Sequence, residues 1–308
     1  MSPAQRRKRL SRFKAKRSNF RWFKYSVLFL AVLIVVLVLS LQSLFWDGKA
    51  KVSAAIATQG GDILVSVFDP VGETITNITI PGATQVDVAR QLGSLRAKSI
   101  WQLGENEGIG GKLLAETLVK NFNFPIYAWG EENLSGLSYG ELPQAIRAVL
   151  APGQTNLKIG DRIKMAAFSL SVKNPKRLNI DLKEGNYLRK TRQIDGDEGY
   201  VISGGFEKIL PLFSENGISQ KNLRVVILDF SGGTRVANEV GTTLEVMGLK
   251  VASVSRKEKK DSDCTFKTKE EDLAKKVFYI FSCEREKGEP TGNFDLEVSL
   301  GTKFARRY

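Results

Sequence analysis

The chemistry open to this chain is limited by two counts. It has two cysteines, Cys264 and Cys283, and no histidine among its 308 residues. Without histidine there is no Ser-His-Asp or Cys-His nucleophile system. The usual metal ligand and the usual neutral-pH base are missing as well. Any catalysis must run on carboxylates, Arg, Lys, or a divalent ion held by oxygen. Three short motifs fall short of a site. Gly108-Ile-Gly-Gly111-Lys112 is followed by Leu113, where a P-loop needs Ser or Thr for magnesium. Ser231-Gly232-Gly233 follows a strand-like run but lacks the third glycine of a dinucleotide fingerprint. Asp195-Gly196-Asp197-Glu198-Gly199 has too few acids at calcium-loop spacing.

The cysteines form an even pair, as in oxidising compartments. A helix expected over Thr268–Phe281 separates them. A bridge requires Cys264 to lie on a strand antiparallel to that helix. Otherwise both thiols stay free.

Placing any such residues begins with Tyr25–Leu44, which has no charged side chain. About 20 helical residues span roughly 30 Å, the thickness of a bilayer core. Residues 25–45 therefore read as one transmembrane helix, longer than the apolar run of a cleaved signal. Residues 1–24 carry ten basic residues and no acid, out of a net charge of +13. That bias holds the tail in the cytoplasm and sends the remainder outside. With the tail set aside, about +3 remains (13 − 10), which gives no basic surface for nucleic acid.

Residues 46–58 read as a polar linker. Asp62–Asp69 and Thr74–Ile80 read as a hairpin around Pro70 and Gly72. Helices are expected over 113–122 and 142–149, and strands over 125–129 and 164–172. From Leu223 a strand, a helix over Thr234–Met247 closed by Gly248, and a strand over 249–254 make a βαβ unit, whose strands should be parallel. A helix capped by Thr268 and a closing strand over 294–300 complete an α/β chain.

Asp62-Ile-Leu-Val-Ser-Val-Phe-Asp-Pro70, then a hairpin and Ile80-Pro81, resembles the opening of the LytR-CpsA-Psr domain of bacterial envelope proteins. Leu223–Val254 and Asp295–Gly301 resemble the LytR C-terminal domain. The resemblance implies a mixed-sheet domain over 59–214 and a small βαβ-containing domain over 222–302. The family transfers lipid-pyrophosphate-linked glycopolymer to peptidoglycan, using carboxylates, arginines and a divalent ion. On that pattern Asp62 is the candidate catalytic and metal-binding acid. Arg189 and Arg192, in Arg-x-x-Arg-Gln, are the candidate cations. The Arg and Asp that follow Ile-Pro in the family are here Gly82 and Ala83. The expectation is therefore an extracytoplasmic, membrane-anchored relative that binds or scaffolds and does not catalyse, with no cofactor. The alternative is a Mg2+-dependent transferase. The implied partners are membrane lipid, envelope glycopolymer, polyprenyl phosphate or peptidoglycan. Convergence of Asp62, Arg96, Arg189 and Arg192 on one apolar pocket would favour the transferase.

Overall fold

The computed structural model describes residues 24–25, 27–32, 46–192 and 196–308. Residues 24, 25 and 27–32 are helical and exposed. Most of the apolar segment 25–45 lies outside the described residues, and so does nearly all of the tail 1–24. Among the described residues no helix is long and apolar enough to cross a membrane.

The first sheet contains β1 (Val52–Ala57), β2 (Ile63–Asp69), β3 (Thr74–Ile80), β6 (Ala128–Glu131) and β7 (Arg177–Asp181), in the order β6-β1-β2-β3-β7. The β2–β3 hairpin pairs as its alternation and the Pro70–Gly72 turn require. β1 runs antiparallel to β2 and parallel to β6, so the sheet is mixed. Residues 52–57 are thus no linker. They form an interior strand, with Val52, Ala54, Ala55 and Ile56 buried. Small residues suit a strand covered on both faces, and their smallness disguises it as a linker.

A second sheet holds β4 (Thr84–Asp87), β5 (Ser94–Arg96), β8 (Leu188–Arg192) and β9 (Glu198–Ile202), ordered β5-β4-β9-β8. The helix Lys112–Phe122 packs Leu113, Leu114, Leu118 and Phe122 inward. Phe122 stacks on Phe124 at 5.3 Å, and Phe124 on Phe213 at 4.6 Å. Of the expected strand over 164–172, residues 164–171 are helical, as part of the helix Ile159–Ser171. That helix buries Gly160, Met165, Ala166 and Ser169, mostly small residues that leave no 3.6-residue apolar period to read.

The third sheet contains β10 (Arg224–Asp229), β11 (Lys250–Arg256), β12 (Cys264–Thr268), β13 (Glu284–Arg285) and β14 (Leu296–Leu300), ordered β11-β10-β14-β12-β13. β10 and β11 are parallel across the helix Thr234–Val246. Gly248 at φ +102° lets the chain leave that helix. Thr268 does not cap the next helix, which spans Glu271–Phe281. Its hydroxyl donates to the Asp295 carbonyl at 2.8 Å and accepts from the Glu270 N–H at 3.2 Å. Cys264 and Cys283 form a disulfide with Cα atoms 4.7 Å apart. β12 and β13 are parallel neighbours, so the intervening helix runs back against β12 and returns Cys283 to Cys264. The helices Lys112–Phe122 and Glu271–Phe281 pack together, and one continuous apolar core joins the three sheets.

Candidate functional site

Asp62 stands at the entry to β2. Its Oδ1 accepts the Gly82 N–H at 2.7 Å, and its Oδ2 lies 3.7 Å from Lys183 Nζ. The Gly82 carbonyl accepts the Lys98 N–H at 3.0 Å. A β-carbon on Gly82 would overlap the Gly61 carbonyl and lie 3.0 Å from the Lys98 β-carbon. The position where the resemblance expects an arginine therefore has no room for a side chain. Asp62 uses its carboxylate to hold the Pro81-Gly82 turn on the start of β2.

The arginines divide. Arg96 Nη1 lies 3.3 Å from Asp197 Oδ2, and Arg192 Nε donates to the Gly196 carbonyl at 2.8 Å. Both thus reach the turn at 196–197. Arg189 does not join them. β8 pairs with β9 in unbroken register, from Leu188 opposite Ile202 to Arg192 opposite Glu198. Side chains alternate along a strand, so positions 189 and 192 face opposite sides of the sheet. On a helix the same spacing would share one face. Asp62 makes none of these contacts. Among the described residues no group of three or more His, Cys, Asp or Glu is placed to hold a metal ion. In the acidic turn Asp197 pairs with Arg96, and Glu198 lies with Lys190 2.6 Å from its carboxylate.

A different cluster lies where the chain enters β1. A cavity of about 360 Å³ is lined by Trp46, Lys49, Tyr127, Lys164, Lys276 and Tyr279, among others. Five lysines and three acids border it. Lys276 Nζ pairs with Glu215 Oε2 and sits 5.8 Å from the Tyr127 ring centre. Burial pushes the Lys276 ammonium down to about 8, and the Asp47 charge opposes that fall. Burial alone would raise the Asp47 carboxyl. The Ala50 and Lys49 N–H groups it accepts, at 3.0 and 2.8 Å, outweigh that and hold it below its usual range. Burial pushes the Tyr127 phenol up. The cluster can bind an anion through its lysines, and burial shifts the Lys276 amine toward its neutral, nucleophilic form while Glu215 holds it in an ion pair. Sequence reasoning passed over Lys276. The available signal was a lysine on an apolar stripe, three residues after Leu273 and four before Ile280.

No family model matches the sequence. No curated protein matches it either. Solved structures do match. Bacillus subtilis TagT is 13% identical, covers 53% of this chain and 90% of its own, and superposes with a TM-score of 0.37. Bacillus subtilis TagV is 9% identical, covers 67% of this chain and 100% of its own, with a TM-score of 0.37. A third, the LytR-CPS2A-psr family protein YwtF (TagT) with bound octaprenyl pyrophosphate lipid, is 13% identical over 53% of this chain and 90% of its own, with a TM-score of 0.37. The family named by the sequence resemblance is thus the family of this third structure. At these identities the likeness is a distant one of fold.

Proposed function

We propose that this chain is a single-pass, membrane-anchored protein of the bacterial envelope, whose extracytoplasmic part binds or scaffolds envelope components without transferring them. The observation that carries this reading is the closure of Gly82 against Gly61. A pyrophosphate clamp needs converging cations. Here the clamp position is filled by backbone, Asp62 is committed to the turn, and Arg189 faces away from Arg192. The anchor is supported by the uncharged run 25–44, its ten basic flanking residues and the exposed apolar side chains of residues 27–30 and 32. The ligand class is anionic lipid-linked polymer, by the sequence resemblance.

The test uses the full chain in lipid nanodiscs, supplied with polyprenyl-pyrophosphate-linked glycopolymer and a peptidoglycan acceptor. The expected result is retained lipid-phosphate in native mass spectra and no polymer transfer. Transfer that disappears in Asp62→Ala would make the protein an enzyme and sink this reading.

A further inference from the structure

The helices Leu142–Leu150 and Ile159–Ser171 pack side by side, with the Arg162 guanidinium donating to the Val149 carbonyl. Their outward side is apolar. Leu142, Ile146 and Leu150, spaced i, i+4, i+8, are 57, 49 and 72% exposed. On the neighbouring helix Ile163 and Leu170, seven residues apart, are 37 and 43% exposed. Five large apolar side chains on two adjacent helices exceed the scatter of single exposed residues on an ordinary surface.

What covers this face is fixed by where the chain goes. Trp46 is seated on the second of these helices. Its N–H donates to Asp161 Oδ1 at 3.0 Å, its ring lies 6.0 Å from that of Phe168, and Lys164 Nζ donates to its carbonyl at 3.4 Å. Leu44, the last residue of the apolar run, is two residues earlier, no more than about 7 Å of chain away. If that run crosses the bilayer, the bilayer surface lies beside this helix pair. Charge agrees. Residues 142–173 contain Arg147, Lys158, Arg162, Lys164 and Lys173 against the single acid Asp161. An apolar stripe bordered by lysine and arginine is the pattern of a helix lying in an anionic membrane interface.

We propose that this helix pair docks on the outer leaflet, with Leu142, Ile146, Leu150, Ile163 and Leu170 in the acyl boundary and the basic side chains at the headgroups. Docking would fix the tilt of the extracytoplasmic part, which a single transmembrane segment leaves free to swivel. It would also present the lysine-lined cavity at Trp46 to the headgroup layer. The inference rests on the anchor reading above.

The experiment keeps the full chain in nanodiscs of phosphatidylcholine and phosphatidylglycerol. Nitroxides are attached singly at Ile146→Cys, Leu150→Cys, Val71→Cys and Leu30→Cys. All four sites are exposed, and the native cysteines are joined and buried. Collision with oxygen, which partitions into lipid, is compared with collision with a water-soluble nickel chelate. The expected ratio is several-fold higher at 146 and 150 than at 71, with 30 deep in lipid. Labels at 146 and 150 that match 71, with 30 still in lipid, overturn the docking and leave the anchor. A water-like label at 30 overturns the anchor and the docking with it. Labels at 146 and 150 shielded from both reagents assign the face to a protein partner or a second copy and overturn the leaflet assignment.

Discussion

Gly82 and Gly61 pack backbone to backbone, so that a β-carbon on Gly82 would overlap the Gly61 carbonyl. The contact lets Asp62 accept the Gly82 N–H while the Lys98 backbone N–H donates to the Gly82 carbonyl, locking the start of β2 and the end of β3 to the helical turn that follows β5. Gly82→Ala should therefore destabilise the protein by about 1–3 kcal/mol, the usual cost of overpacking. Denaturant midpoints measure it. An alanine variant as stable as the parent would show that the turn has slack, and would reopen the position to a functional side chain.

Asp62 should behave as a structural acid. Asp62→Asn keeps an oxygen for the Gly82 N–H but loses the charge facing Lys183, a half-exposed pair contributing about 0–1 kcal/mol. Asp62→Ala leaves the Gly82 N–H without its acceptor and should cost about 1–3 kcal/mol. The expected order of thermal midpoints is parent, then Asn, then Ala. Equal loss in Asn and Ala would mean that the charge matters, as a ligand role requires.

The disulfide closes a loop with a sequence separation of 19. On chain-entropy grounds it contributes about 3 kcal/mol. Reduction should raise amide exchange in β12, β13 and the Glu271–Phe281 helix while leaving β1–β3 protected. Thiol titration of unfolded, unreduced protein should find none. Two reactive thiols per chain would refute the bridge.

The C-terminal part was readable because its signals are local. Leu223–Leu228 centres on the buried β-formers Val225, Val226 and Ile227, the helix after it has a clear apolar stripe, and Gly248 marks its end. The first part misleads wherever burial falls on small residues. Ser53, Ala54 and Ala55 form a covered strand yet look like a linker. In the helix Ile159–Ser171 the inward positions are Gly160, Asp161, Met165, Ala166 and Ser169, while Ile163 and Leu170 point out. Large apolar side chains lie on both sides of this helix, so no single stripe shows, and the alternation of Ser and Leu then imitates a strand. The Arg-x-x-Arg motif at 189–192 was visible as residue types. Whether it shares a face depends on helix or strand, and that is decided by pairing with β9.

Trp46 joins the apolar segment to the folded part. It is buried, its indole N–H donates to the Ala50 carbonyl at 2.6 Å, and its ring packs on Phe168. Trp46→Ala should cost about 3–5 kcal/mol, as for other buried large-to-alanine changes. It should also free the joint, so the labels at Ile146 and Leu150 become more mobile. A loss of stability with label mobility unchanged would mean that Trp46 fills space but does not orient the helix pair.

Lys276 gives a pH dependence with a definite sign. Its ammonium titrates at about 8 in the folded chain and at its ordinary 10.5 when unfolded. Between those values the unfolded chain binds more protons, so raising the pH favours the folded state. Below 8 both states are protonated, and the cost of burying the charge is fully present. Glu215, in contact with Nζ, holds back part of the proton and limits the gain to on the order of 1–2 kcal/mol. The reference is the double variant Lys276→Met/Glu215→Gln, which removes both charges, since the single change would strand a buried carboxylate. Other lysines and tyrosines titrate alike in both proteins and cancel. Parent minus double variant stability should be flat from pH 6 to 7.5 and climb from about 8 to about 10. A difference that falls over the upper range would mean that Glu215 raises Lys276 above its ordinary value, making the pair a stabilising clamp at the floor of the cavity.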